Sequence, residues 1–99
     1  MGYTLKYTRQ AEKDARKLEQ AGLDKNAIQL LAIIQENPFQ NPPPYEKLKG
    51  DLEGLYSRRI NKQHRIVYGV LPNDENFIDE NGKTYKGIVK ILRMWTHYE

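Results

Sequence analysis

Cysteine is absent from these 99 residues, which rules out disulfides, a thiolate zinc site and a thiol nucleophile, and suits a reducing cytoplasm. Long apolar runs are missing as well. No stretch reaches the ~20 residues that a membrane-spanning helix requires. The opening Met1-Gly-Tyr-Thr-Leu-Lys6 already carries a charge and holds no apolar core of signal-peptide length. A soluble, cytoplasmic protein with no membrane partner is expected. Histidine is scarce at two residues and tryptophan occurs once. No cluster of carboxylates or histidines has metal-ligand spacing, and Gly50 and Gly54 build no phosphate-cradling loop. Neither a metal nor a cofactor is expected. There is no internal repeat and no low-complexity segment. At this length, one domain spanning residues 1–99, with one core and one site, is the natural reading.

The formal charge is a modest +3, but it is unevenly placed. Residues 1–36 hold six Lys and Arg against five Asp and Glu, residues 46–65 hold six against three, and residues 66–99 hold four against five. The positive excess is therefore in the middle of the chain. A basic surface with no function is one explanation. A concentrated patch suits a polyanion better, because solvated surfaces usually intersperse the signs.

The hydrophobic pattern gives the order of elements. Tyr3-Thr-Leu-Lys-Tyr-Thr8 alternates and is rich in β-formers, so it reads as a first strand. From about Arg9, the spacing of Ala11, Ala15, Leu18 and Ala21 predicts a helix that stops at Gly22. Asp24 is expected to cap a second helix whose Ala27, Ile28, Leu30, Leu31, Ile33 and Ile34 face a core, ending before Asn37-Pro38. Four prolines between residues 38 and 44 then forbid both a helix and a central strand. A rigid connector accounts for them without invoking a proline-binding partner.

Leu55–Ile60 and His64–Leu71 read as the two strands of a hairpin turning at Asn61-Lys62-Gln63. An odd-numbered loop would put Arg59 and Arg65 on the same sheet face, and a two-residue loop on opposite faces. His64, Ile66, Tyr68 and Val70 form the expected buried set, which turns Arg65 away from the helices. The acidic stretch Pro72–Lys83 has its tightest turn signal at Asn81-Gly82. A last strand is expected from Tyr85 to about Trp95. The expected fold is α+β: an N-terminal strand, a helical hairpin, then antiparallel strands in a small twisted sheet with one face left open.

The candidate chemistry lies in Pro44–Tyr68 and the closing His97-Tyr98. Glu46 follows the prolines, so its backbone is constrained, although alone it would pass for a surface glutamate. His97 near the chain end would alone pass for an incidental histidine. Together with the basic residues Lys49, Arg58, Arg59 and Arg65 they supply what metal-free RNA cleavage by a 2′-hydroxyl needs. A base takes the 2′-OH proton, an acid protonates the leaving 5′-oxygen, and fixed cations stabilise the phosphate between them. Three nearby arginines repel one another unless an anion sits among them. Tyr56, Tyr68 and Trp95 could stack bases, with core packing the default for at least two of them.

These residues resemble the YoeB (Txe/YoeB) family of bacterial toxins, in the RelE-like, microbial-ribonuclease-like group. Glu46-Lys-Leu-Lys49, Leu52-Glu-Gly54, Ser57-Arg-Arg-Ile60, His64-Arg-Ile-Val-Tyr68 and His97-Tyr98 match in order and spacing, and the N-terminal helices match in outline. The resemblance implies a toxin that acts as a metal-independent endoribonuclease, cutting mRNA in the A site of the 70S ribosome. It also implies silencing by a cognate YefM-like antitoxin, and it allows a homodimer. It assigns Glu46 as general base, His97 as general acid and Arg65 as stabiliser of the transition-state phosphate. It also implies that Lys49 and Arg59 contact the RNA backbone, with Arg58 in the same basic group, and that Tyr98 positions substrate. The long Pro72–Lys83 loop and the additional Glu99 depart from the family pattern. Two competing readings are a ParE-like toxin that binds gyrase without cutting RNA, and an inactive antitoxin-binding module. A gyrase binder has no need of Glu46, Arg65 and His97 together.

Overall fold

Residues 2–72, 82 and 86–95 are described by the computed structural model. Their order is β1 (Thr4–Tyr7), α1 (Arg9–Gln20), α2 (Asp24–Glu36), β2 (Glu46–Lys47), a 3-10 turn (Gly50–Leu52), β3 (Leu55–Arg59), β4 (Arg65–Pro72) and β5 (Gly87–Arg93). The strands form one sheet in the order β1-β5-β4-β3-β2. β1 runs parallel to β5 and the other pairs are antiparallel. This is the expected α+β arrangement with one additional strand. β2 was not legible because two residues carry no periodicity; it exists through its pairing with β3.

The first helix begins and ends for identifiable reasons. Thr8 caps α1 by accepting from the Ala11 N–H at 3.0 Å, and its hydroxyl donates to the Leu92 carbonyl at 2.9 Å, which ties the helix start to the end of β5. Gly22, at φ +75°, lets the chain leave α1 through the left-handed region, as its position predicts. Asp24 is not the cap of α2. That position belongs to Leu23, which makes no side-chain cap bond, and Asp24 lies in the first turn, where its charge still favours the positive helix end.

The core lies between the helices and one sheet face, where Ala11, Leu18, Ala27 and Ile34 pack with Ile66, Tyr68, Val89 and Ile91. Burying each Leu or Ile contributes about 1.5–3 kcal/mol, and truncating Ile34 to Ala would cost about 2–5 kcal/mol. Ile28 departs from the expected buried set and is 60% exposed. It sits one residue, or about 100° of helix rotation, past the buried Ala27. Seven of the eight residues from 27 to 34 are apolar, and they cannot all share a stripe.

The hairpin satisfies the parity condition. Arg59 pairs with Arg65, five residues, 60–64, lie between them, and both point to the face away from the helices. The Asn61 side chain shapes the turn by accepting from the Gln63 and His64 amides at 2.8 and 2.7 Å. That second face is less bare than expected, since Val67 and Ser57 are buried on it. β5 is shorter than the predicted Tyr85–Trp95 strand, and Tyr85 lies outside the described residues. So does most of the Pro72–Lys83 loop, of which Gly82 has φ +80°.

Candidate active site

The strand registers decide which side chains meet. Glu46 stands opposite Ser57, Ser57 opposite Val67, and Arg59 opposite Arg65. Because side chains alternate along a strand, Glu46, Ser57, Arg59 and Arg65 share one face. There Arg65 Nη1 lies 3.2 Å from Glu46 Oε1 and donates to Ser57 Oγ at 3.3 Å. The pair is asymmetric: the Arg65 side chain is 15% exposed and that of Glu46 is 63% exposed. Arg59, exposed, faces Arg65 directly across the ladder. Lys49 is also exposed, just beyond β2, and with Lys47, Leu55 and Tyr56 it lines a groove of about 480 Å³.

His97 and Tyr98, the expected acid and positioning residue, lie outside the described residues. The chain that leads to them is anchored. The His64 ring stacks on Trp95 with centroids 4.0 Å apart, and His64 Nδ1 bonds the Trp95 carbonyl oxygen. A carbonyl only accepts, so this nitrogen carries the proton.

Arg58 requires a correction. It is 1% exposed and points to the helix side, not to the face that carries Arg59 and Arg65. Its Nε donates to the Tyr68 hydroxyl at 3.1 Å, Nη1 to Pro43 O at 2.6 Å, and Nη2 to Pro38 O at 3.0 Å and Gln40 O at 2.8 Å. Parity explains this: on a strand where Arg59 faces outward, Arg58 must face inward. The same alternation, applied at the sequence level, would have separated the two arginines and put Ser57 on the site face. Tyr68 is equally sealed. Its hydroxyl donates to Pro38 O at 2.8 Å, and burial pushes its phenol above the ordinary value, opposed by the neighbouring Arg58. Tyr56 packs edge-on against Phe39 and Tyr45.

Asp14 was not anticipated. It is fully buried, and its carboxylate accepts from Arg93 Nε at 2.9 Å, the Met94 amide at 3.0 Å and Gln10 Nε2 at 2.9 Å. Burial alone would raise its pKa, but the Met94, Arg93 and Gln10 hydrogen bonds, with the Arg93 charge, hold it below the usual carboxylate value. Its signal in the sequence was an acid within the apolar spacing of Ala11, Ala15 and Leu18.

Among the described residues, no group of three or more His, Asp or Glu could hold a metal ion, and no helix is long and apolar enough to cross a membrane. Chemically, an exposed carboxylate against a guanidinium, with a second guanidinium facing it, can take a proton while binding an anion.

The YoeB-like toxin family of bacterial type II toxin-antitoxin systems matches residues 7–98. The toxin YoeB of Streptomyces coelicolor is 38% identical over 72 residues, covering 73% of this chain and 76% of that protein. Two solved structures from Staphylococcus aureus are similar over 97% of this chain and 98% of theirs. One is a YoeB–YefM complex, 31% identical with a TM-score of 0.68, and the other a YoeB dimer, 30% identical with a TM-score of 0.70. With a family match over nearly its whole length and a shared fold, this chain belongs to the YoeB-like toxins of bacterial type II toxin–antitoxin systems.

Proposed function

We propose that this toxin is a ribosome-dependent mRNA endonuclease whose single domain cuts RNA by internal 2′-hydroxyl attack. The observation that carries this reading is the Glu46–Arg65 pair, 3.2 Å apart on an accessible sheet face with Arg59 opposite. Glu46 accepts the 2′-OH proton as the 2′-oxygen bonds to phosphorus. Arg65, with Arg59 and Lys49 along the RNA backbone, stabilises the charge that builds on the phosphate. The P–O5′ bond then breaks, His97 gives its proton to the leaving oxygen, and Tyr98 helps position the strand. The products are a 2′,3′-cyclic phosphate and a 5′-hydroxyl. A 2′-OH nucleophile with protein acid and base needs no cofactor, so cleavage is expected to persist under chelation that leaves ribosomes intact.

The partners follow from the same reading: the 70S ribosome and its mRNA in the cytoplasm, and a YefM-like antitoxin that neutralises the toxin. Self-association into a dimer, as in the Staphylococcus aureus relative, is part of the proposal. Primer extension on an mRNA incubated with the protein, with and without ribosomes, tests it. Discrete cleavage only on the ribosome is expected. Intact mRNA in both arms, with DNA damage on overexpression, would favour gyrase binding instead.

A further inference from the structure

The prolines at 38, 42, 43 and 44 leave the connector few backbone N–H donors but a full set of carbonyl acceptors, so it cannot be fastened by its own ladder. Gln40 serves the Asn37 and Pro42 carbonyls from within the connector, and Arg58 serves three others. One guanidinium bonds the carbonyls of Pro38, Gln40 and Pro43, and lies 5.1 Å from the centre of the Tyr45 ring. Tyr68, which accepts from Arg58, donates to the same Pro38 oxygen. All these partners are neutral. A buried cation that spends three of its four hydrogen bonds on one loop's carbonyls ties the loop's shape to that cation.

The next residue after Tyr45 is Glu46. It belongs to a two-residue edge strand, and its pairing partner is Ser57, the residue before Arg58. Arg58 therefore holds Glu46 from both directions, through the connector that delivers it and through the strand that receives it. Arg65, in contrast, is fixed by the long β4. The separation of carboxylate and guanidinium depends on where β2 sits.

We propose that Arg58 is a positioning residue: from the far side of the sheet it clamps the proline connector and so sets Glu46 against Arg65. This rests on the reading of Glu46 as the base. The step is one of placement, and misplacing a reacting group by about 1 Å can cost about a hundredfold in rate.

The test uses Arg58→Met, which keeps the side chain's length without its donors, and Tyr68→Phe, a milder change that removes one bond to Pro38 and one acceptor from Arg58. Three quantities are measured: melting, amide hydrogen exchange, and ribosome-dependent cleavage resolved into kcat and KM. Arg58→Met is expected to speed exchange at residues 46–48 relative to β4 and β5. It should lower kcat by about 10- to 100-fold with KM changed less than about threefold. In a Glu46→Gln background the same substitution should add less than about threefold, because it acts through Glu46. Tyr68→Phe should move exchange and kcat in the same direction by less, and carries the test if Arg58→Met does not fold. Unchanged exchange at residues 46–48 in the folded variants, or an equal loss of kcat in both backgrounds, overturns the clamp. If exchange accelerates but Glu46→Gln alone cleaves like the parent, the clamp stands and the assignment of Glu46 as base fails.

Discussion

Glu46 is mostly in water while Arg65 is mostly out of it, so their ion pair does little for the fold. Exposed pairs contribute roughly 0–1 kcal/mol, and Arg65 keeps a second acceptor in Ser57. Glu46→Gln is therefore expected to melt almost as the parent does, yet to cleave about 100-fold more slowly or worse, the scale of a lost general base. Arg65→Ala should lose a similar factor through the phosphate. Normal cleavage by a folded Glu46→Gln protein would make Glu46 a surface residue. In the proposed mechanism the tail belongs to the same chemistry. Removing residues 97–99 should abolish cleavage, whereas removing Glu99 alone should change it within about tenfold. Equal activity of the two truncations would remove His97 from the mechanism. The outward face of Arg65 was legible through the parity of the hairpin, whereas that of Glu46 was not, because β2 exists only through its pairing with β3. The burial of Arg58 was legible only through parity, and charge alone pointed the wrong way.

Elements meet at the end of β5. Thr8 of the α1 cap bonds Leu92, Asp14 of α1 bonds Arg93 and Met94, and His64 of the hairpin turn holds Trp95. Asp14→Asn should cost about 1–3 kcal/mol, the range for weakening a buried hydrogen-bonded group. The pH dependence follows from the lowered pKa of the native state. Asp14's contribution is complete above its unfolded value of about 4 and is lost as pH falls through the lower folded value. The stability gap between parent and Asp14→Asn, measured by denaturant unfolding, should hold from neutral pH to about 5 and shrink in stronger acid. A gap that widened in acid would contradict this. The existence of the helices and long strands was readable from periodicity. β2 and the α2 cap were not, because a two-residue strand and a cap without a side-chain bond exist only through tertiary neighbours. Ile28 was misassigned because composition, not rotation about the helix, suggested a wide apolar face.

Across the whole molecule, Lys49, Arg59 and Lys62 are exposed cations from the segment with the charge excess, in a protein of net charge +3. An acidic antitoxin segment that folds over them should lose affinity as salt rises and with charge reversal at these three positions. A partner that binds the charge-reversed protein equally well would have its dock elsewhere. Arg58 is left out of that set because its reversal would break the connector. In the proposed mechanism one sheet face of this toxin directs a 2′-hydroxyl against the neighbouring phosphate of ribosome-bound mRNA, and the chemical ends of the cut RNA report whether it does. Mass spectrometry of the fragments released from programmed ribosomes should find a 2′,3′-cyclic phosphate, or the 3′-phosphate it hydrolyses to, and a 5′-hydroxyl. Fragments ending in a 3′-hydroxyl and a 5′-phosphate would rule out attack by the 2′-hydroxyl.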